Sequence, residues 1–159
     1  HLPRAFMVYG YELLEKEQIL NRLAGPDFDP AKKIFFEKEQ DPPQLIQDAS
    51  RSSLPIGQVK ILSYRPDHIT VQTESSEAGL LFLSEILYPG WKAFRDGQPA
   101  RILRGNYLFR VLEVPEGRHQ VRLEFDPWTI KAGTGITLLT CVLIIAIPVF
   151  LRLRRNGSR

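Results

Sequence analysis

Between Lys131 and Arg152 the chain runs through twenty consecutive uncharged residues, AGTGITLLTCVLIIAIPVFL. As a helix rising about 1.5 Å per residue, such a run reaches about 30 Å, the thickness of a bilayer's hydrocarbon core. A helix packed onto a soluble core keeps a polar face, and this segment has none over its second half. The run therefore predicts a transmembrane helix over residues 132–151. Pro148 lies near its end, where a small kink absorbs the lost backbone hydrogen bond.

Charge sets the expected orientation. Four of the 21 basic residues, Arg152, Arg154, Arg155 and Arg159, follow the run, whereas only Lys131 flanks its start, and no acid lies beyond Asp126. The positive-inside rule makes 152–159 a basic cytoplasmic tail and 1–131 an extracytoplasmic domain. Trp128 falls where an interfacial aromatic sits. Residues 1–131 carry 17 basic against 18 acidic side chains, so the basic isoelectric point belongs to the tail and a nucleic-acid partner is not expected. The single cysteine, Cys141, lies inside the span, which excludes a disulfide framework and a multi-cysteine zinc site. The opening His1-Leu2-Pro3-Arg4 has neither a basic n-region nor an apolar h-region, and the expectation is a C-terminal piece of a longer membrane protein. Asn156-Gly157-Ser158 matches a glycosylation sequon, but on the inner side it reads as tail.

The outer part reads as mainly β. Residues 2–9 suggest a strand, Tyr11 to Ala24 a short helix stopped by Gly25-Pro26, and Lys33 to Lys38 a second strand. Residues 39–57, with Pro42, Pro43 and Pro55, read as a polar loop. From Gln58 onward, alternation with a period of two recurs between turn signals: Ile69, Val71 and Thr73 on one face, then Val121, Leu123 and Phe125. Tyr107, Phe109 and Val111 read as one face of another strand. Leu80-Leu81-Phe82-Leu83 is apolar on both faces, the mark of a central strand, and Pro89-Gly90 and Asp96-Gly97 are turn signals. Pro99 confines its strand to a sheet edge. The predicted fold is an antiparallel β-sandwich or jelly-roll-like domain with one short N-terminal helix, followed by the transmembrane helix.

Few residues point to chemistry. His1, His68 and His119 are far apart and have no zinc-motif spacing, so no metal or cofactor is expected. Glu85, Asp96 and Asp126 are candidate paired carboxylates for sugar chemistry, a role that depends on their separation in space. The densest stretch is Leu83 to Gly97, where Tyr88 and Trp91 flank a tight turn with Lys92, Arg95 and Asp96 nearby. Aromatics and hydrogen-bonding groups at a sandwich loop suit sugar binding, which makes Tyr88, Trp91 and Asp96 the candidate ligand residues. The alternative is that Trp91 plugs the open end of the sandwich and Asp96 only forms a turn.

These motifs carry a resemblance. LSEILYPGWKAFRDGQPA, then Asn106 to Arg110, Val114 to His119 and Phe125-Asp126-Pro127, with Leu2 to Ala5 and Phe28-Asp29-Pro30 upstream, resembles the end of the YfhO family of bacterial membrane proteins. The resemblance implies the last outer domain and last span of a long multi-spanning protein of the bacterial cytoplasmic membrane. Such proteins resemble GT-C glycosyltransferases that use lipid-linked sugar donors for cell-envelope glycosylation. It also places the catalytic acid in an early extracytoplasmic loop, so no catalytic residue carries over to these positions. Expected partners are the lipid bilayer, the rest of the parent protein, and a polyprenyl-linked sugar or cell-wall glycan. The rival expectation is a membrane-anchored carbohydrate-binding or adhesion module without catalytic activity.

Overall fold

A computed structural model describes residues 3–45 and 57–156, with side chains described as far as residue 148. Most of the polar loop expected over 39–57, and the last three residues of the tail, lie outside that range. The chain divides into two units, residues 1–126 and 127–159.

The described residues of the first unit hold eleven strands and one helix: β1 (Ala5–Val8), β2 (Gly10–Leu14), α1 (Lys16–Leu23), β3 (Lys33–Glu37), β4 (Gly57–Arg65), β5 (His68–Ser75), β6 (Gly79–Ile86), β7 (Trp91–Arg95), β8 (Gln98–Ala100), β9 (Ile102–Gly105), β10 (Phe109–Val114) and β11 (Gly117–Phe125). They form an antiparallel four-stranded sheet, β1-β6-β10-β9, and an antiparallel five-stranded sheet, β4-β5-β11-β7-β8. A small parallel pair, β2-β3, joined through α1, completes the unit. The predicted mainly β, antiparallel fold class is the observed one.

Two cores explain the sequence pattern. Ala5, Met7, Leu81, Leu83, Leu112 and Val114 of the four-stranded sheet pack with Ile69, Val71, Val121 and Leu123 of the five-stranded sheet. The alternate residues Val8, Leu80, Phe82 and Val111 turn the other way and pack with Ile34 and Phe36 of β3. The four-stranded sheet is thus a middle layer covered on both faces, and β6 reads as a continuous apolar run because neither face meets water. Gly79 opens β6 where Met7 and Tyr9 crowd in. A Cβ there would lie 2.7 Å from Met7 Cε and 2.8 Å from Tyr9 Cε1, closer than real side chains approach.

Two local expectations need correction. The helix expected over Tyr11 to Ala24 begins only at Lys16, because Gly10–Leu14 pairs with β3 and its Tyr11 and Leu13 pack against the second core at a spacing of two. In α1 the backbone N–H of Glu15 donates to Gln18 Oε1 at 3.2 Å, closing the helix start that a longer helix would have bypassed. Tyr107, expected in a strand with Phe109 and Val111, lies instead in the loop before β10, at φ 73°. The turn signals hold elsewhere: Gly90 sits at φ 110°, Asp96-Gly97 joins β7 to β8, and β8 with Pro99 is an edge strand.

The second unit is α2 (Trp128–Asn156), which begins four residues before the expected span. Within Trp128–Pro148 the most apolar eighteen residues have a mean hydropathy of 2.1, and none of them is buried. It is the one helix among the described residues long and apolar enough to cross a membrane. Thr134, Thr137 and Thr140 each donate their hydroxyl to the carbonyl four residues earlier, all at 2.9 Å. The polar atoms of the run are thereby satisfied within the helix, as hydrocarbon requires.

Candidate functional site

After β6 the chain turns through Tyr88-Pro89-Gly90, whose backbone is pinned from both sides. Leu87 donates its N–H to Leu108 at 2.7 Å, and the Gly90 carbonyl accepts from Asp126 N–H at 2.8 Å. β7 then leaves beside β11, with Trp91 opposite Phe125. Between this turn and the edge strand β8 lies a groove of about 620 Å³, walled by Tyr88, Trp91, Lys92, Ala100, Ile102 and Arg104, among others. Among the described residues no acidic side chain lines it.

Trp91 belongs to both the groove and the sandwich. It is half-buried, packs against the first core, and lies 5.4 Å from the ring of Phe125. The Arg110 guanidinium stacks 3.8 Å from the indole centroid, so that part of the ring system is already occupied. Tyr88 is 64% exposed, with its ring 6.5 Å from Phe125, and is the most accessible aromatic of the groove.

Arg110 itself is only 5% exposed. On β10 it shares a face with Leu112, which directs it to the end of the sandwich core. A shift in the β6–β10 register between Phe109 and Arg110 leaves Ser84 and Glu85 without partners in that ladder and brings the Ile86 carbonyl to Arg110 Nε at 3.0 Å. Arg110 Nη1 has no hydrogen-bond partner among the described residues. Burial lowers the Arg110 pKa from its ordinary value, while the nearby Glu85 and Tyr64 act to raise it. Glu85 in turn accepts from the Tyr64 hydroxyl at 2.5 Å and lies 3.6 Å from Arg4.

The three candidate ligand residues do not converge. Tyr88 and Trp91 line the groove, whereas Asp96 sits at the tip of the β7–β8 turn. Asp96 Oδ2 lies 2.6 Å from His119 Nδ1, and Oδ1 accepts from Gln120 N–H at 2.8 Å. The backbone bond from Gln120 and the bond from His119 lower the Asp96 pKa. His119 Nε2 lies 3.0 Å from the Glu116 carbonyl, so both ring nitrogens face acceptors. Burial opposes protonation of His119, but Asp96 and the Glu116 carbonyl outweigh it and raise the pKa. The candidate carboxylates are likewise separately engaged: Glu85 by Tyr64 and Arg4, Asp96 by His119, and Asp126 by Lys92 at 2.7 Å.

Arg104 and Arg110 were not among the sequence candidates. Arg110 had a legible signal, a lone cation in a strand of alternating apolar residues, at an inward position. Arg104 had none, since its place in the groove depends on β9 meeting the β6–β7 turn.

A family model described as "Bacterial membrane protein YfhO" matches residues 44–137, a stretch running from before β4 into α2. No curated protein and no solved structure matches the chain.

Proposed function

The chain belongs to the YfhO family of bacterial membrane proteins, and from that premise we propose that residues 1–131 form an extracytoplasmic, sugar-binding accessory domain of a glycosyltransferase-like membrane protein. In this reading the parent protein glycosylates the cell envelope from a lipid-linked sugar donor, and α2 is its last span, with the arginine-rich end in the cytoplasm. The observation that carries the binding role is the groove itself. It sets an exposed tyrosine and a fixed tryptophan beside basic and apolar side chains, the mixture that sugar rings meet in stacking sites. The chemistry of transfer belongs outside these residues, because each candidate carboxylate already holds a structural partner.

Calorimetric titration of the full chain in detergent micelles with cell-wall oligosaccharides tests the binding role. Tyr88→Ala is expected to weaken binding about tenfold while leaving the thermal midpoint unchanged, because the ring is mostly exposed. Absence of saturable binding by the unsubstituted chain would remove the reading. Orientation is tested in whole cells by labelling single cysteines in a Cys141→Ser background. Gln98→Cys, on the exposed edge strand, should react from outside and Ser158→Cys should not.

A further inference from the structure

A second cavity, of about 250 Å³, is lined by Lys16, Glu37, Ile86, Leu87, Arg104, Tyr107 and Leu108. Leu87 and Arg104 line the groove as well, so the two cavities share a wall. On the far side of that wall Tyr107 is held at φ 73°, a conformation its side chain disfavours, with the Lys16 ammonium 5.5 Å from its ring centroid. Lys92, at the other end, is neutralised by Asp126. Arg104 differs from both. Its backbone N–H is bonded to Gln40 Oε1, but among the described residues no carboxylate pairs with its guanidinium. Glu37, the only acid among the described residues lining either cavity, makes no ion pair with it.

We propose that the groove and the second cavity form one cleft that binds an acidic oligosaccharide. Sugar units lie against Tyr88 and Tyr107, and Arg104 receives a carboxylate or phosphate group between them. This inference rests on the sugar-binding reading of the groove and extends it in two respects, ligand length and ligand charge. Length follows from two aromatic positions on either side of a shared residue. Charge follows from the balance of the lining: with Lys92 held by Asp126, Lys16 and Arg104 remain against Glu37, and the central cation is uncompensated. A guanidinium free of internal partners retains its full donor fork for an incoming anion.

The test is titration of the full chain in nonionic detergent micelles with galacturonic acid, tetragalacturonate, maltotetraose and cell-wall oligosaccharides. Tetragalacturonate is expected to bind about tenfold tighter than both the monomer and the neutral tetramer. Arg104→Gln should abolish the preference for acid, and Arg104→Lys should restore it in part. Tyr107→Asn keeps a residue type that tolerates positive φ and should remove the advantage of length. Near-UV circular dichroism and the thermal midpoint verify that each variant is folded. Equal affinity for acidic and neutral tetramers, no gain with length, or insensitivity to both substitutions would overturn the proposal. Binding of cell-wall oligosaccharides without any of tetragalacturonate would overturn it and leave the sugar-binding reading standing. Binding of none of these sugars would remove that reading as well.

Discussion

The β7–β8 and β9–β10 connections each carry two consecutive non-helical residues at positive φ: Asp96 at 51° and Gly97 at 82° in the first, Asn106 at 47° and Tyr107 at 73° in the second. In the first, residue types and conformation agree, since a two-residue hairpin needs left-handed backbone at both positions and Asp-Gly supplies it. The turn is exposed, and its side-chain bonds run to the neighbouring strand through His119 and Gln120. In the second, a tyrosine occupies a conformation that glycine would adopt at no cost. Asn106 there is 3% exposed, accepts from Phe35 N–H through Oδ1 at 2.8 Å, and donates its own N–H to the Phe35 carbonyl at 2.8 Å. The first turn is shaped by its own two residues. The second is imposed by β3 and α1, elements that lie about seventy and ninety positions earlier in the chain.

The contrast breaks most readily at Asn106. Asn106→Ala removes the acceptor of a buried backbone N–H and places an alanine in left-handed backbone, so it should cost about 3 kcal/mol. Thermal unfolding of the full chain in micelles, read by tryptophan fluorescence, measures it. A loss no larger than that of an exposed turn substitution would mean that β3 does not hold this loop. Gly97→Ala comes next, at about 1 kcal/mol. A Cβ at that position meets nothing within 4 Å, so the whole effect is conformational. If the first turn is locally made, pairing Gly97→Ala with Asn106→Ala should give additive losses in the same unfolding experiment.

The smallest effect is electrostatic. His119 has a raised pKa in the folded state, so its contribution is complete below its ordinary value of about 6.5 and fades as pH climbs through the raised one. Asp96 has a lowered pKa, so its contribution is present above the ordinary carboxylate value and fades as pH falls through the lowered one. The pair is strongest between those limits, from about pH 4 to about pH 6.5. Nearly half of the Asp96 side chain is exposed, and solvent screening keeps the gain under about 1 kcal/mol. The thermal midpoint should decline slightly above neutrality, and His119→Gln should abolish that decline. A pH-independent midpoint in the unsubstituted chain would mean that the pair contributes nothing.

The same division between local and distant causes decides how much of the molecule can be read in advance. The apolar helix, the alternation of Ile69, Val71 and Thr73 and of Val121 and Leu123, the Asp96-Gly97 hairpin and the edge position of Pro99 are all legible in the sequence. Each depends on residues within one turn or strand of one another, where a period or a backbone preference is the whole cause. Tyr88 and Trp91, candidate ligand residues in the sequence, flank a turn encoded by the Pro89-Gly90 between them, and both line the groove.

Other features belong to the tertiary structure. Gly10–Leu14 has the apolar content of a helix start and becomes a strand because β3 lies alongside to pair with it. The four-stranded sheet becomes a middle layer only when that same pair covers its second face. Asp96 meets His119 across 23 positions, and Arg110 meets Trp91 across a register shift that no local pattern announces. Arg104 joins two cavities because β9 passes the β6–β7 turn. Local periodicity determines which residues turn inward, because side-chain direction follows from backbone geometry alone. Which partners they meet is decided by how strands far apart in the chain come to lie side by side, and the lining of the groove arises from those meetings.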